Sequence, residues 1–191
     1  MKLLILNGKL MKKHEKEIQW CIDQHTKTNH MYAEYLPYEF HLRMVHKVGE
    51  QFQHLLPEAV RHLVLLSLWG HDLIEDTRTN YNEVVKHLGS FVADIIYALT
   101  NEKGRNRKER ADERYYRGIR ETDYADYAKV CDRIANVQYS KMTQSSMFKK
   151  YKAENVEFMI GCGYTPGQSD HYMEEMFSYL LDLFDSPMPV K

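Results

Sequence analysis

Disulfide chemistry has little to work with in this chain. It carries three cysteines, Cys21, Cys131 and Cys162, widely spaced and with no C-x-x-C pair. An odd, scattered set of thiols excludes a disulfide framework and a cysteine zinc site, and fits a reducing cytoplasm. Long apolar runs are also missing. The stretch from Leu3 to Leu6 is too short for a signal-peptide core, and no run approaches membrane-spanning length, so no membrane association is expected. Charge of one sign is not in excess: 26 basic and 27 acidic residues leave a net charge of −1. A chain so balanced is not built as a whole to embrace nucleic acid or an acidic membrane surface. Period-2 alternation never persists, and no internal repeat, low-complexity tract or linker interrupts the chain.

What is present is helical periodicity. It predicts helices near 10–25, 38–56, 58–73, 80–88, 90–100, 107–121, 124–143, 146–160 and 168–185. The fold class expected is all-α. The 191 residues read as one domain over 1–191, with a core at about 25–160 and a C-terminal helix at about 168–185. That last amphipathic helix could pack on the domain or on a second copy of the chain, as a homo-oligomer. Punctuation agrees with the helices. Pro57 can open one, Asn80 with Glu83 resembles a capping pair, Gly89 can close a helix and Ser90 can cap the next.

Histidine is the compositional oddity, with ten residues. Most histidines in any chain are surface or hydrogen-bonded core residues, so only a constellation raises the prospect of metal. One such pattern lies at the end of the 58–73 helix. Val64, Leu68, His71, Asp72 and Glu75 form one stripe that begins as core. Its acidic members therefore continue an inward face. A buried carboxylate needs a partner or a cation, and adjacent like charges raise one another's pKa unless a cation neutralises them. The plainer alternative is a salt-bridged acidic turn, but no basic residue intervenes through Asp76. A second inward residue is His41, on a face with Met44, Val45, Val48, Phe52 and Leu55, while His46 falls on the opposite, polar side with Glu50 and Gln53. A third stripe, Ala128, Asp132, Ala135, Asn136 and Tyr139, carries a carboxylate between small residues, with an Asp132–Arg133 surface pair as its ordinary alternative. Two imidazoles and two carboxylates suit manganese, iron or zinc better than calcium.

The ordered set Tyr38-Glu39-Phe40-His41, then Gly70-His71-Asp72-Leu73-Ile74-Glu75-Asp76-Thr77, then Cys131-Asp132-Arg133-Ile134-Ala135-Asn136 resembles the HD-domain metal-dependent phosphohydrolases. It is most similar to the Rel/SpoT-type branch and small stand-alone alarmone hydrolases that cleave (p)ppGpp. The likeness spans about Tyr38 to Tyr139 and includes the helix from Phe91 to Thr100. It implies a compact helical bundle. It implies His41, His71, Asp72 and Asp132 as ligands of one divalent metal ion, manganese first, with iron, zinc and magnesium as alternatives. Glu75 and Asp76 would be the catalytic pair that positions and activates water, and Asn136 a substrate contact. The substrate implied is a small-molecule nucleotide, with (p)ppGpp leading. A nucleotidase or deoxynucleotide triphosphohydrolase would use the same metal centre, and a catalytically silent nucleotide-binding protein would have no need of the acidic pair. The chain departs from the branch at Leu42, where proline is usual, and between Thr26 and Pro37, where Lys27 is the only basic residue in place of an Arg-Lys pair.

A basic segment stands apart. Of the 26 basic and 27 acidic residues, eight and four fall within 102–120. Arg107, Arg110, Arg114 and Arg117 recur at helical spacing and are expected either to clamp substrate phosphates or to form a solvated face laced to Glu109 and Glu113.

Overall fold

The computed structural model describes residues 13–101, 105, 109, 111–165 and 172–187. In chain order the elements are α1 (Glu15–Lys27), β1 (Met31–Tyr32), β2 (Leu36–Pro37), α2 (Glu39–Phe52), a 3-10 turn (Gln53–Leu55), α3 (Glu58–Gly70), α4 (Leu73–Asp76), α5 (Tyr81–Leu88), α6 (Ser90–Leu99), α7 (Glu113–Glu121), α8 (Ala125–Met142), α9 (Met147–Gly161) and α10 (Glu174–Asp185). The architecture is an all-helical bundle. Helices α2, α3, α6 and α8 pack on one another at its centre, α1 and α5 cover one side, and α7, α9 and α10 the other.

Two apolar clusters fill it. One joins Val45, Phe52, Leu68, Ile95, Ile134 and Phe177. The other joins Leu42, Trp69, Leu73, Val84, Val92 and Ile96. Alternate faces of α2 and α3 feed both clusters. Close approach needs small residues: a Cβ added at Gly49 would meet Leu68 Cδ1 at 2.2 Å, and one at Gly70 would meet Ile96 Cδ1 at 2.5 Å. Ala125, Ala128 and Ala135 are fully buried on α8, and the buried Tyr127 hydroxyl donates to Gly49 O at 2.7 Å.

Local chemistry accounts for most boundaries. Asn80 accepts from Glu83 N, and Glu83 accepts from Asn80 N, a reciprocal capping box at the start of α5. Gly89, at φ +86°, ends α5 and is itself the N-cap of α6, so Ser90 is the first helical residue rather than the cap. Pro57 stands one position before α3 as its N-cap. The predicted helix across 58–73 breaks: α3 ends at Gly70, His71 and Asp72 form a turn, and α4 is a single turn. Thr77 closes that turn by donating its hydroxyl to Leu73 O at 2.6 Å.

The β1–β2 hairpin has no forewarning in the sequence. Its three-residue turn runs through Ala33 and Glu34 at φ +50° and +73°. Left-handed conformations usually announce themselves with Gly or Asn, and this turn has neither. Among the described residues no helix is long and apolar enough to cross a membrane, and all three cysteines are buried and free.

Candidate metal centre and its cleft

The break after Gly70 places His71 and Asp72 side by side, with Asp72 lining a cleft of about 420 Å³. His71 Nδ1 lies 2.9 Å from Leu68 O. A carbonyl can only accept, so Nδ1 carries the proton and Nε2 of the neutral ring is a bare lone pair. That lone pair faces His41 Nε2 at 3.3 Å. His41 Nε2 in turn lies 3.2 Å from Asp132 Oδ1, and His71 Nε2 lies 3.8 Å from the same oxygen. Asp72 Oδ2 stands 2.8 Å from His71 Nε2 and 3.8 Å from His41 Nε2.

His41, His71 and Asp132 form a group whose ligand atoms all lie within 4.8 Å of one another and could hold a metal ion. Two atoms bound to one ion at about 2.0–2.3 Å lie about 3–4 Å apart, which matches the spacings around this point. Both imidazoles are 2% exposed. A site holding two buried imidazole nitrogens aimed at one another and flanked by two partly exposed carboxylates fits a divalent cation.

Without an ion, protons carry the balance. Burial alone would lower the His71 pKa, but Asp72 and Asp132 outweigh it and raise it to about 9. Burial likewise opposes ionisation of Asp72, yet His71, His41 and the Tyr38 hydroxyl hold it well below the usual carboxylate range. For Asp132, burial is overcome by Lys129 and the two imidazoles. Tyr38 donates its hydroxyl to Asp72 Oδ2.

The acidic pair behaves asymmetrically. Glu75 Oε2 accepts from Asn101 N at 3.1 Å and Asn101 Nδ2 at 2.7 Å, so it is anchored to the end of α6. Asp76 is pushed up to about 7 by burial, then by Asp72 and Glu75. Both line the cleft. Asn136 also lines it, donating to Asp132 Oδ1 at 2.5 Å and accepting from Tyr32 OH at 3.0 Å. The Tyr32 ring lies on His41 with centroids 4.7 Å apart.

The basic segment is only partly described. Arg107 and Arg110 lie outside the described residues. Arg114 and Arg117 are exposed and neither lines the cleft, because α7 buries its Tyr115 and Ile119 face. Arg120, from the same basic segment, pairs with Glu113 and donates to Gly161 O at 2.8 Å, a tie between α7 and α9. The lining cations among the described residues are Lys129 and Arg133. Lys129 Nζ lies 3.4 Å from Asp132 Oδ2 and 5.7 Å from the Tyr115 ring centre. Burial would lower its pKa, but Tyr115, Asp132 and Asp72 raise it well above the ordinary value. Arg133 is 7% exposed, and its guanidinium sits 4.2 Å from the Phe158 ring centre and 4.8 Å from that of Tyr151. It pairs with Glu154 at 3.6 Å, not with Asp132 on the surface.

His46 is a further correction. It is 7% exposed and packs on Trp69 rather than facing water, because α1 and α3 close over that side of α2. Sequence periodicity thus missed Tyr38, Asn101, Lys129 and Arg133 as site residues. Tyr38 precedes His41 by three positions and shares its face; Lys129 and Arg133 flank Asp132 at −3 and +1. Asn101 had no signal.

No family model matches the chain, and no curated protein is similar to it. A solved structure is similar in fold: that of a metazoan ortholog of SpoT that hydrolyzes ppGpp and plays a role in starvation responses. The alignment covers 88% of this chain and 95% of that one, with a TM-score of 0.62 and 17% sequence identity. The chain therefore has the helical fold that its motifs resembled.

Proposed function

We propose that this protein is a metal-dependent phosphohydrolase that cleaves a nucleotide phosphoester or pyrophosphate bond, with (p)ppGpp as the leading substrate and loss of the 3′-pyrophosphate as the reaction. The observation that carries this reading is the convergence of His41 Nε2, His71 Nε2 and Asp132 Oδ1, with Asp72 alongside, at the floor of a cleft that also holds Glu75 and Asp76. The similar fold of a ppGpp hydrolase supports the choice of substrate.

His41, His71, Asp72 and Asp132 would hold the ion, with manganese the first choice. When bound, it supplies Lewis acidity toward a phosphoryl oxygen and acidifies water. The remaining work belongs to the chain. Glu75, fixed by Asn101, orients the attacking water. Asp76, beside it, takes its proton and can return it to the leaving oxygen. Asn136 holds substrate beside Asp132. Lys129 and Arg133, which also line the cleft, meet phosphate oxygens, a role expected from the sequence for Arg107, Arg110, Arg114 and Arg117. The setting we propose is cytoplasmic, in keeping with three free, buried thiols.

Metal analysis of purified protein joined to a manganese-supplemented nucleotide panel tests the reading. Stoichiometric metal and release of pyrophosphate from (p)ppGpp are expected. Cleavage of only nucleoside monophosphates or deoxynucleoside triphosphates would replace the substrate, and stoichiometric retention of labelled nucleotide without product would replace catalysis by binding.

A further inference from the structure

The metal centre uses two of the ten histidines. Two others stand beside the acidic pair. His25 lies at the end of α1 and His30 just before β1, and His30 N donates to His25 O at 3.0 Å, which sets the spacing of the two rings. Their Nδ1 atoms face one another at 3.1 Å. Both rings stack on Tyr38, with centroids 4.4 Å away for His25 and 3.8 Å for His30. The far side of His30 looks at the catalytic carboxylate: Nε2 lies 3.7 Å from Asp76 Oδ2.

One proton must sit between the two Nδ1 atoms, and burial decides whose it is. His25 is 1% exposed, and its Nε2 has no hydrogen-bond partner. Burial keeps the ring neutral, with its pKa pushed down to about 3. A proton on Nε2 would be a buried donor with no acceptor, which costs the full desolvation of that group. On Nδ1 the same proton bonds to His30, and only a lone pair is left unmatched on the far side. His25 Nδ1–H is therefore the donor and His30 Nδ1 the acceptor. Burial also lowers the His30 pKa, and a neutral His30 with Nδ1 accepting must carry its own proton on Nε2, toward Asp76. The polar groups around His30 are consistent with this direction. The Tyr38 hydroxyl donates to Asp72 and also acts on Asp76, and Asp72 and His41 act on His30 only through space.

We propose that His30 is a positioning residue for Asp76: His25 sets the tautomer of His30, and the His30 Nε2–H holds Asp76 Oδ2 so that the other carboxylate oxygen faces the attacking water. This rests on the hydrolase reading above. The 3.7 Å gap is slightly longer than a hydrogen bond, and such contacts commonly tighten when substrate binds. Asp76 remains the group that takes the proton; His30 neither gains nor loses one.

Imidazole nitrogen NMR reads the tautomers without reference to activity. In the wild-type protein loaded with diamagnetic Zn²⁺, His25 should be protonated at Nδ1 and His30 at Nε2, and Asp76→Asn should move the His30 Nε2 signal more than the His25 signals. A His30 proton on Nδ1, or an Nε2 signal indifferent to Asp76→Asn, overturns the proposal. In the manganese enzyme, His30→Gln should keep its metal and its KM within about twofold while kcat falls about tenfold, the lower end for outer groups that orient a metal site. Placed in the Asp76→Asn background, the same change should cost less than about twofold, the non-additivity expected of groups acting as a unit. An equal loss in both backgrounds would make His30 merely structural. If no nucleotide is turned over at all, the hydrolase reading fails, while the NMR result still decides the direction of the His25–His30–Asp76 chain.

Discussion

The two ends of the cleft are built by different means. At its floor, four potential ligands come from three separate segments and converge within a few ångströms: His41 from α2, the His71–Asp72 turn and Asp132 from α8. Negative charge is in excess there, with Asp76 pushed up to about 7 by burial and its acidic neighbours. At the other end, the charge is positive and it is held by aromatic rings, with Lys129 over Tyr115 and Arg133 against Tyr151 and Phe158. Helix α8 serves both ends. Asp132 and Asn136 face the floor, while Lys129 and Arg133, also one turn apart, face the cationic end. At the floor the charge is balanced by protons or by a cation that the cluster could hold, whereas at the far end it is held against aromatic rings with Arg133 Nη1 left without a hydrogen bond.

The largest effect should come from removing a ligand. Asp132→Ala is expected to lose metal and at least about 100-fold in turnover together, since even outer-shell changes cost 10–100-fold. Glu75→Gln should retain metal and lose about 10²–10⁴-fold, the usual contribution of an acid–base group. Elemental analysis beside initial rates separates the two, and loss of metal from Glu75→Gln to the extent seen in Asp132→Ala would erase the division between ligand and acid–base residue.

Lys129→Met probes the link between the ends. Lys129 is the cation nearest Asp132 outside the imidazoles. Its removal should destabilise the metal-free protein by about 1–3 kcal/mol, below the full cost of breaking a buried pair because both side chains are partly exposed. The loss should shrink when metal is present, because the ion then takes over Asp132. Denaturant melts with and without Mn²⁺ measure this, and equal losses in both would show that Lys129 acts by packing on Tyr115.

Asp76→Asn tests the excess charge at the floor by its pH dependence. Asp76 has a folded pKa of about 7 against 3.8 for the free group. The folded state therefore binds the proton more tightly, and stability is lost as pH rises from about 4 to 7. At pH 7.5 the metal-free Asp76→Asn protein should melt about 2–4 °C above wild type, a modest gain because the side chain is 34% exposed and solvent screens it. Below pH 4 the two should coincide. A variant less stable than wild type at pH 7.5 would mean that the acidic floor is not strained.

Most of the floor was legible because helical spacing and charge together announce it. Val64, Leu68 and His71 predicted an inward face, and His71 does point inward, although the helix ends at Gly70. The all-α class followed from periodicity, and the Asn80–Glu83 cap from local chemistry. The rest depended on contacts between distant segments. The arginines at 114 and 117 have helical spacing, but Tyr115 and Ile119 own the buried face of α7, and an amphipathic stripe alone does not say which side meets a cleft. His46 lies on the polar side of α2 by sequence, and only the packing of Trp69 makes that side interior. The turn at Ala33 and Glu34, which brings Tyr32 over His41, uses residues that rarely adopt positive φ.

Arg133 gives the most discriminating change. Its guanidinium lies against Phe158 and Tyr151, and Nη1 is buried without a hydrogen bond, with Glu154 at 3.6 Å. Arg133→Met keeps most of the volume and removes the charge. Losing contact with two rings should cost about 1–2 kcal/mol of stability, and losing the pair with Glu154 should add little because Glu154 is 37% exposed. Metal content should stay at the wild-type level, since no ligand touches Arg133. Arg133→Lys should not restore the loss, because an ammonium lacks the flat face that stacks between rings. The kinetic constants then separate two roles. If Nη1 meets a phosphate oxygen, KM should rise by about tenfold or more at constant kcat, the value of a charged hydrogen bond made equally in ground and transition states. An unchanged KM beside the lost stability would make the far end a packing device, leaving the floor as the only chemical part of the cleft.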